Sequence, residues 1–223
     1  MNKLTLLANK YGSDKGTEHG SKHGFTEVYD QYFLELKERE LNVLEIGVND
    51  GASLKMWYEY FPKASILGLD IDDKSKFNND RVVCKKLDQS NKQQLNNFSD
   101  FSNIKFDLII DDGSHHISDQ QITFGSLFKI LNPRGIYIIE DLHTSLCDPH
   151  TDVYGRPMEN SETKHNTTLT FLKTRPLESI FLTPLENEFL NKNVASIQIY
   201  EKFNQSVPDD YKNMSITSII KKL

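Results

Sequence analysis

The stretch Val43-Leu44-Glu45-Ile46-Gly47-Val48-Asn49-Asp50-Gly51-Ala52-Ser53 decides the fold. Its apolar start suits a buried strand, and Gly47 and Gly51 break that strand into a turn. Leu54, Trp57 and Tyr58 follow at helical spacing. A strand, a glycine turn and a helix form the first unit of a doubly wound α/β sheet, whose ligands sit at the carboxyl ends of the strands. Glu45 to Gly51 are therefore expected to line a nucleotide-like site.

Downstream, the same alternation continues. Further strands are expected at Ser65–Asp70, Arg81–Lys86, Lys105–Ile110 and Gly135–Glu140, the last entered through an Asn132-Pro133-Arg134-Gly135 turn. A helix over Ile117–Leu131, with Ser118 and Gln121 as a capping box, links the fourth and fifth. After Asp141 the alternation stops for about fifty residues, a gap that usually holds function or extra helices. Leu142–His165 is polar, and Thr167–Lys173 and Leu177–Leu190 read as helices split by Pro176. Val194–Tyr200 and Met214–Ile220 read as an antiparallel hairpin at the sheet edge.

Upstream, Lys3–Lys10 reads as a short helix ended by Gly12. Glycines then recur at 12, 16, 20 and 24 among charges and histidines, a density that excludes a stable helix. This segment is either a linker or a loop that folds over a ligand. Phe25–Glu38 is an amphipathic helix with Phe25, Val28, Tyr29, Tyr32, Phe33 and Leu36 on one face. The expected class is α/β: a Rossmann-like, doubly wound, mostly parallel seven-stranded sheet with an antiparallel edge hairpin and an N-terminal helical lid. One domain is expected, with the lid region at 1–40 and the core at 41–223, carrying a substrate-side insertion at about 142–192.

A net charge of −6 argues against a nucleic-acid partner, which demands a basic face. No apolar run approaches a membrane span, and Met1-Asn2-Lys3-Leu4-Thr5 has no signal-peptide core. Cys84, in a strand, and Cys147, in a loop, form no disulfide framework or metal cluster, so a reducing cytoplasm is expected. The aromatic helix and Phe181-Leu182 are candidate surfaces for a homo-oligomer.

The turn also bears on which ligand is bound. A dinucleotide site has the pattern G-x-G-x-x-G, with pyrophosphate on the helix N-terminus. Here the spacing is Glu45-x-Gly47-x-Asn49-x-Gly51, and Asp50 in the turn would repel a pyrophosphate. S-adenosylmethionine carries a sulfonium and an ammonium and no phosphate. The stretch resembles motif I of the class I S-adenosylmethionine-dependent methyltransferases, with Asn49 replacing the usual middle glycine; a generic tight strand-to-helix turn is the competing account. Asp70 lies about twenty residues on, where an acid reaches a ribose in such folds, and Asp88-Gln89 follows the third strand, where it would face an adenine.

Two strand ends are rich in ligating groups: Asp111-Asp112-Gly113-Ser114-His115-His116 after the fourth and Glu140-Asp141-Leu142-His143 after the fifth. Gathered acids repel one another unless a cation compensates, and oxygen ligands suit Mg²⁺ or Mn²⁺. Methyl transfer to an alcohol requires the oxygen deprotonated, by a metal, an imidazole or both. Each dyad taken alone is equally a turn former or helix cap.

Taken with Asp14-Lys15-Gly16-Thr17, His23-Gly24-Phe25-Thr26-x-x-Tyr29 and Ile139-Glu140-Asp141-Leu142-x-Thr144-Ser145, these motifs resemble a bacterial family of small O-methyltransferases. Its members act on macrolide-antibiotic sugars, as the mycinamicin-type enzymes do, or on saccharide precursors of surface polysaccharides, such as nucleotide-activated heptoses for capsule. The resemblance implies a sugar or sugar-nucleotide acceptor. It also implies His115 as general base with Asp112 beside it, and Asp112, Glu140 and Asp141 as Mg²⁺ ligands. Glu45, Gly47, Asn49, Gly51, Asp70, Asp88 and Asp111 would hold the cofactor, and Lys15, Thr17, His23, His116 and His143 would belong to the lid and acceptor side. Two rivals stand beside it. One is a non-haem iron hydroxylase of the cephalosporin-hydroxylase-like group, using His115, His143 and a carboxylate. The other is a non-catalytic sugar-binding protein on the same fold.

Overall fold

The computed structural model describes residues 1–146, 166–203 and 214–223. The expected polar stretch to His165, Cys147 and the loop joining the last two strands therefore lie largely outside the described residues. The described chain forms a seven-stranded sheet in the order β3-β2-β1-β4-β5-β7-β6. β1 (Asn42–Ile46) lies between β2 (Ser65–Asp70) and β4 (Phe106–Asp111), parallel to both, and β3 (Val82–Lys86) and β5 (Leu131–Ile139) extend the parallel core. β7 (Met214–Lys222) runs antiparallel to β5, and β6 (Val194–Phe203) antiparallel to β7. The strand order reverses between β1 and β4, so a crevice opens at their carboxyl ends.

Residue alternation along the central strands sorts side chains onto two buried faces. Val43, Leu108, Ile110 and Ile138 face one cluster, built from α1 (Lys3–Tyr11), α2 (Phe25–Phe33) and α3 (Ala52–Tyr60). Leu44, Ile46, Ile109, Tyr137 and Ile139 face the other, with α4 (Lys92–Phe101), α5 (Ile117–Leu127), α6 (Thr168–Lys173) and α7 (Pro184–Asn193). No helix among the described residues is long and apolar enough to cross a membrane.

Several element boundaries differ from expectation. α2 stops at Phe33 instead of Glu38: Phe25, Tyr29 and Phe33 are buried at four-residue spacing, but Leu34 is exposed, and the chain continues through turns closed by Leu36 N–H to Phe33 O and Arg39 N–H to Leu36 O. The Ser118–Gln121 capping box does not form. His116 is the N-cap of α5 with no capping bond from its side chain to the helix, Ser118 donates to Asp119, and Gln121 donates to Asn166 O. α5 ends at Leu127, and β5 starts at Leu131, earlier than Gly135. The expected helix over Leu177–Leu190 starts only at Pro184, behind a capping box of Thr183 and Glu186. α4 was not anticipated at all.

Segment 12–24 is a bonded loop folded back on the body of the protein. Ser13 N–H bonds Ala8 O, His23 N–H bonds Asp14 O, Gly24 N–H bonds Gly16 O, and Thr26 N–H bonds Lys15 O. Gly16 permits the close approach, because a Cβ there would sit 2.3 Å from Asn9 Oδ1. Thr17 is tied to Asn9 through its N–H (2.8 Å) and its hydroxyl (3.1 Å). The consequence is that Lys15 is carried into the interior, 1% exposed.

Candidate active site

The turn after β1 is built by Gly47 and Asp70. Gly47 has φ +87°, and a Cβ on it would lie 1.9 Å from the carbonyl oxygen of Asp112, so only glycine lets the exits of β1 and β4 touch. Asp70 accepts the N–H groups of Val48 (2.9 Å) and Asn49 (3.1 Å) on one oxygen and that of Asp72 (2.9 Å) on the other. It thereby staples the turn to β2. Asn49 (φ 49°), His115 (φ 59°) and Asp141 (φ 53°) hold left-handed backbone, and all three line one cleft. Such strain persists where the surroundings over-determine it, commonly at functional sites.

That cleft encloses about 800 Å³ at the carboxyl edge of the sheet. Gly47, Asn49, Asp50, Asp70, Asp88 and Gln89 line one part, and Lys15, Asp112, His115, His116 and Asp141 the other. Three residues expected to hold cofactor lie behind its wall. Glu45 is fully buried, accepts from Ser53 Oγ (2.8 Å) and Trp57 Nε1 (3.2 Å), and lies 3.9 Å from Lys15 Nζ. Burial pushes its carboxyl up to about 7 against the pull of Lys15. Asp111 is 2% exposed and accepts from Gln89 Nε2 (2.6 Å), whose Oε1 in turn takes Ser114 N–H (2.7 Å). Burial holds the Asp111 carboxyl well above the usual range, and the residue acts by fixing Gln89. Gly51 (φ +77°) is the N-cap of α3 beneath the Phe77 ring.

Lys15, Asp112 and Glu140 form the centre of the acidic edge. The Lys15 ammonium bonds Asp112 and sits 2.8 Å from Glu140 Oε2. The other Glu140 oxygen accepts from Tyr29 OH at 2.9 Å, and Tyr29 shares its hydroxyl with Thr217 Oγ1 on β7 at 2.9 Å. Both Glu140 oxygens are therefore engaged. Burial disfavours the ammonium, but Asp112, Glu140 and Glu45 outweigh it and hold Lys15 well above its ordinary value. Burial raises Asp112 and Glu140, with Lys15 opposing in both cases.

Beside this cluster three imidazoles surround Asp141. His115 Nε2 lies 3.4 Å from Oδ2, while His23 Nε2 (3.5 Å) and His143 Nδ1 (3.7 Å) face Oδ1. His23 is fixed by Ser215 Oγ (2.8 Å) and stacks on Phe25. Burial works to raise Asp141, and the three imidazoles carry it below the ordinary carboxylate value instead; burial lowers His143. Asp141 Oδ1 is buried without a hydrogen-bond partner. One ligand atom each from Asp112, His115 and Asp141 can lie within 4.8 Å of one another. This orphaned oxygen and the set of two carboxylates and one imidazole fit a divalent cation; Glu140 lies beside that group, its oxygens bonded to Lys15 and Tyr29. His115 and His143 address different oxygens of Asp141. Thr17 is bound to α1, away from the cleft lining.

Sequence reasoning missed Tyr29 as a partner of Glu140, reading it only as a packing residue. It also missed Lys74, which lines the cleft 3.8 Å from Asp70.

Comparison with known proteins assigns the chain to a family. A family described as "Methyltransferase domain" matches residues 37–197. The chain is 39% identical over 149 residues to the 8-demethyl-8-alpha-L-rhamnosyl tetracenomycin-C 2'-O-methyltransferase of Streptomyces olivaceus, a match covering 64% of this chain and 38% of that protein. It is 36% identical over 149 residues to the mycinamicin VI 2''-O-methyltransferase of Micromonospora griseorubida, covering 64% and 36%. The chain thus spans well under half the length of these curated relatives. Among solved structures it resembles the MycE methyltransferase of the mycinamycin biosynthetic pathway in complex with Mg, SAH and mycinamycin VI, with TM-score 0.74 and 28% identity over 99% of this chain and 54% of that one.

Proposed function

The chain belongs to the methyltransferase-domain family, and from that premise we propose that it is an S-adenosylmethionine-dependent O-methyltransferase acting on a sugar hydroxyl of a natural-product glycoside. The observation that carries this reading is the His115–Asp141 pair, which opens on the same cleft as the Gly47–Asp50 turn.

In this reading Gly47, Asn49 and Asp70 hold the nucleoside of the cofactor, and Asp88 and Gln89 its adenine end. The cofactor supplies an electrophilic methyl group. An acidic wall suits its positive charge, and no phosphate has to be accommodated. Asp141 orients His115 through Nε2, leaving Nδ1 to take the acceptor proton. Asp141 would stabilise the imidazolium that forms at His115 as the acceptor oxygen takes the methyl group from the cofactor's sulfonium. A divalent ion bound at Asp112 and Asp141 would lower the pKa of the acceptor hydroxyl. Lys15 and His23 bring segment 12–24 to the acceptor side, so that segment serves as its cover. Much of the rate comes from positioning.

The charge of the cleft favours a glycoside over a nucleotide-activated sugar. Its described lining includes eight aspartates, and its two lysines, Lys15 and Lys74, are already paired with carboxylates. A nucleoside diphosphate would meet that field unfavourably.

Incubation with methyl-labelled cofactor and a panel of rhamnosyl glycosides and activated sugars tests the reading. Label in a glycoside hydroxyl is expected. Label only in nucleotide sugars would overturn the acceptor class, and oxygen consumption with added iron and no transfer would overturn the reaction.

A further inference from the structure

We infer that Lys74 is a further cofactor-binding residue. Its ammonium, set between Asp70 and Asp72, donates to the vicinal ribose hydroxyls of the adenosine that the proposed function places in this cleft, and the two carboxylates accept from them.

The case begins with what Asp70 has left to offer. A carboxylate oxygen accepts roughly two hydrogen bonds. Asp70 Oδ2 already takes the N–H groups of Val48 (2.9 Å) and Asn49 (3.1 Å), and Oδ1 takes that of Asp72 (2.9 Å). One position remains, on Oδ1. A ribose diol brings two hydroxyls, so Asp70 alone does not serve both.

Lys74 supplies what is missing. Its side chain is 15% exposed and lines the cleft, with Nζ 3.8 Å from Asp70 Oδ1 and 3.6 Å from Asp72 Oδ2. Both separations are too long for a direct hydrogen bond, and among the described residues the ammonium makes none. Its charged donors therefore stand unused at the wall of a cavity. A hydroxyl donates one hydrogen bond and accepts others, so a hydroxyl beside such a lysine–carboxylate pair bonds both members at once. Acid, ammonium and acid in succession match two adjacent hydroxyls. They do not match a phosphate, which both carboxylates would repel.

The turn after β2 holds this fork in place. Ser75 N–H bonds Asp73 Oδ1 at 2.9 Å, and Phe77 N–H bonds Lys74 O at 3.0 Å. The Phe77 ring lies against Gly51, where a Cβ would meet it at 2.8 Å. Lys74 is thus fixed by its own turn and by the N-cap of α3, and its ammonium is in position before a ligand arrives.

Calorimetry with three probes tests this: adenosylhomocysteine and its 2'-deoxy and 3'-deoxy analogues, each titrated into the unaltered chain and into Lys74→Met. Methionine keeps an apolar stem and removes the donors. The substitution deletes no hydrogen bond of the Lys74 side chain among the described residues, so the fold survives it. Lys74→Met should weaken adenosylhomocysteine at least about tenfold, through the loss of a charge-assisted hydrogen bond. For at least one deoxy analogue the same substitution should cost less than about threefold, because the hydroxyl that Lys74 holds is already gone. A lysine that only braced the turn would cost all three ligands alike. Equal losses, or adenosylhomocysteine affinity unchanged or tightened in Lys74→Met, would overturn the inference and leave the proposed function standing. The inference rests on that function for its adenosine, so no adenosylhomocysteine uptake by the unaltered chain would overturn both.

Discussion

Tyr29 and Glu140, 111 residues apart in sequence, share a buried 2.9 Å hydrogen bond that joins the N-terminal helix pair to the carboxyl edge of the sheet. Tyr29→Phe deletes that donor and leaves both Glu140 and Thr217 short of a partner. It should cost about 1–3 kcal/mol in chemical denaturation, the range for orphaning a buried polar group. A loss below a few tenths would show that water replaces the hydroxyl freely.

His115→Ala should lower turnover by about 10²–10⁴-fold, the usual contribution of a positioned general base. Adenosylhomocysteine affinity should stay within about threefold, because His115 acts on the acceptor proton. Turnover comes from a labelled-methyl assay and affinity from calorimetry. Equal losses in both would remove His115 from its role.

The pH dependence of stability should carry the mark of Glu45. Its folded carboxyl titrates near 7 against an ordinary value of 4.5, raised chiefly by burial. A raised folded pKa means that the folded state holds the proton longer, so stability declines as pH rises from about 4.5 to about 7. The decline attributable to this group is about 3 kcal/mol by linkage. Glu45→Gln can still accept from Trp57 Nε1 through its amide oxygen and donate to Ser53 Oγ through its amide nitrogen, and should flatten the profile in that window. An unchanged slope would place the titration elsewhere.

Much of this architecture is written locally in the chain. Leu108–Ile110 and Ile136–Ile139 are continuous apolar runs, and Val43–Ile46 is interrupted only by Glu45, so both sheet faces had to be covered, and Gly47 marked where β1 ends. Where a second contact decides the outcome, the sequence is mute. Lys15 stands among glycines and charges, a setting that signals exposure, yet three distant carboxylates bury it. α4 has only Leu95 and Ser99 buried, which leaves almost no apolar period to detect. The start of α7 was legible in Thr183-Pro184-Leu185-Glu186, a capping box with proline at the first helical position. The resemblance gives Asp111 and Asp112 different roles, and strand alternation supplies the physical reason that they part. Asp111, the last residue of β4, is buried and holds Gln89, while Asp112 faces the cleft.

Gly47→Ala should abolish cofactor binding and destabilise the fold by more than the about 1–3 kcal/mol of a strained residue, because the added carbon meets the Asp112 backbone and not a movable side chain. Calorimetry and thermal unfolding check both effects. Near-normal binding would mean that the exits of β1 and β4 can part without consequence.

The most direct measurement is calorimetric titration of the protein with adenosylhomocysteine, with NADH as the phosphate-bearing control. The account predicts one adenosylhomocysteine per chain, abolished by Gly47→Ala, and no uptake of NADH by the acid-lined cleft. Tight NADH binding with no adenosylhomocysteine binding would contradict it.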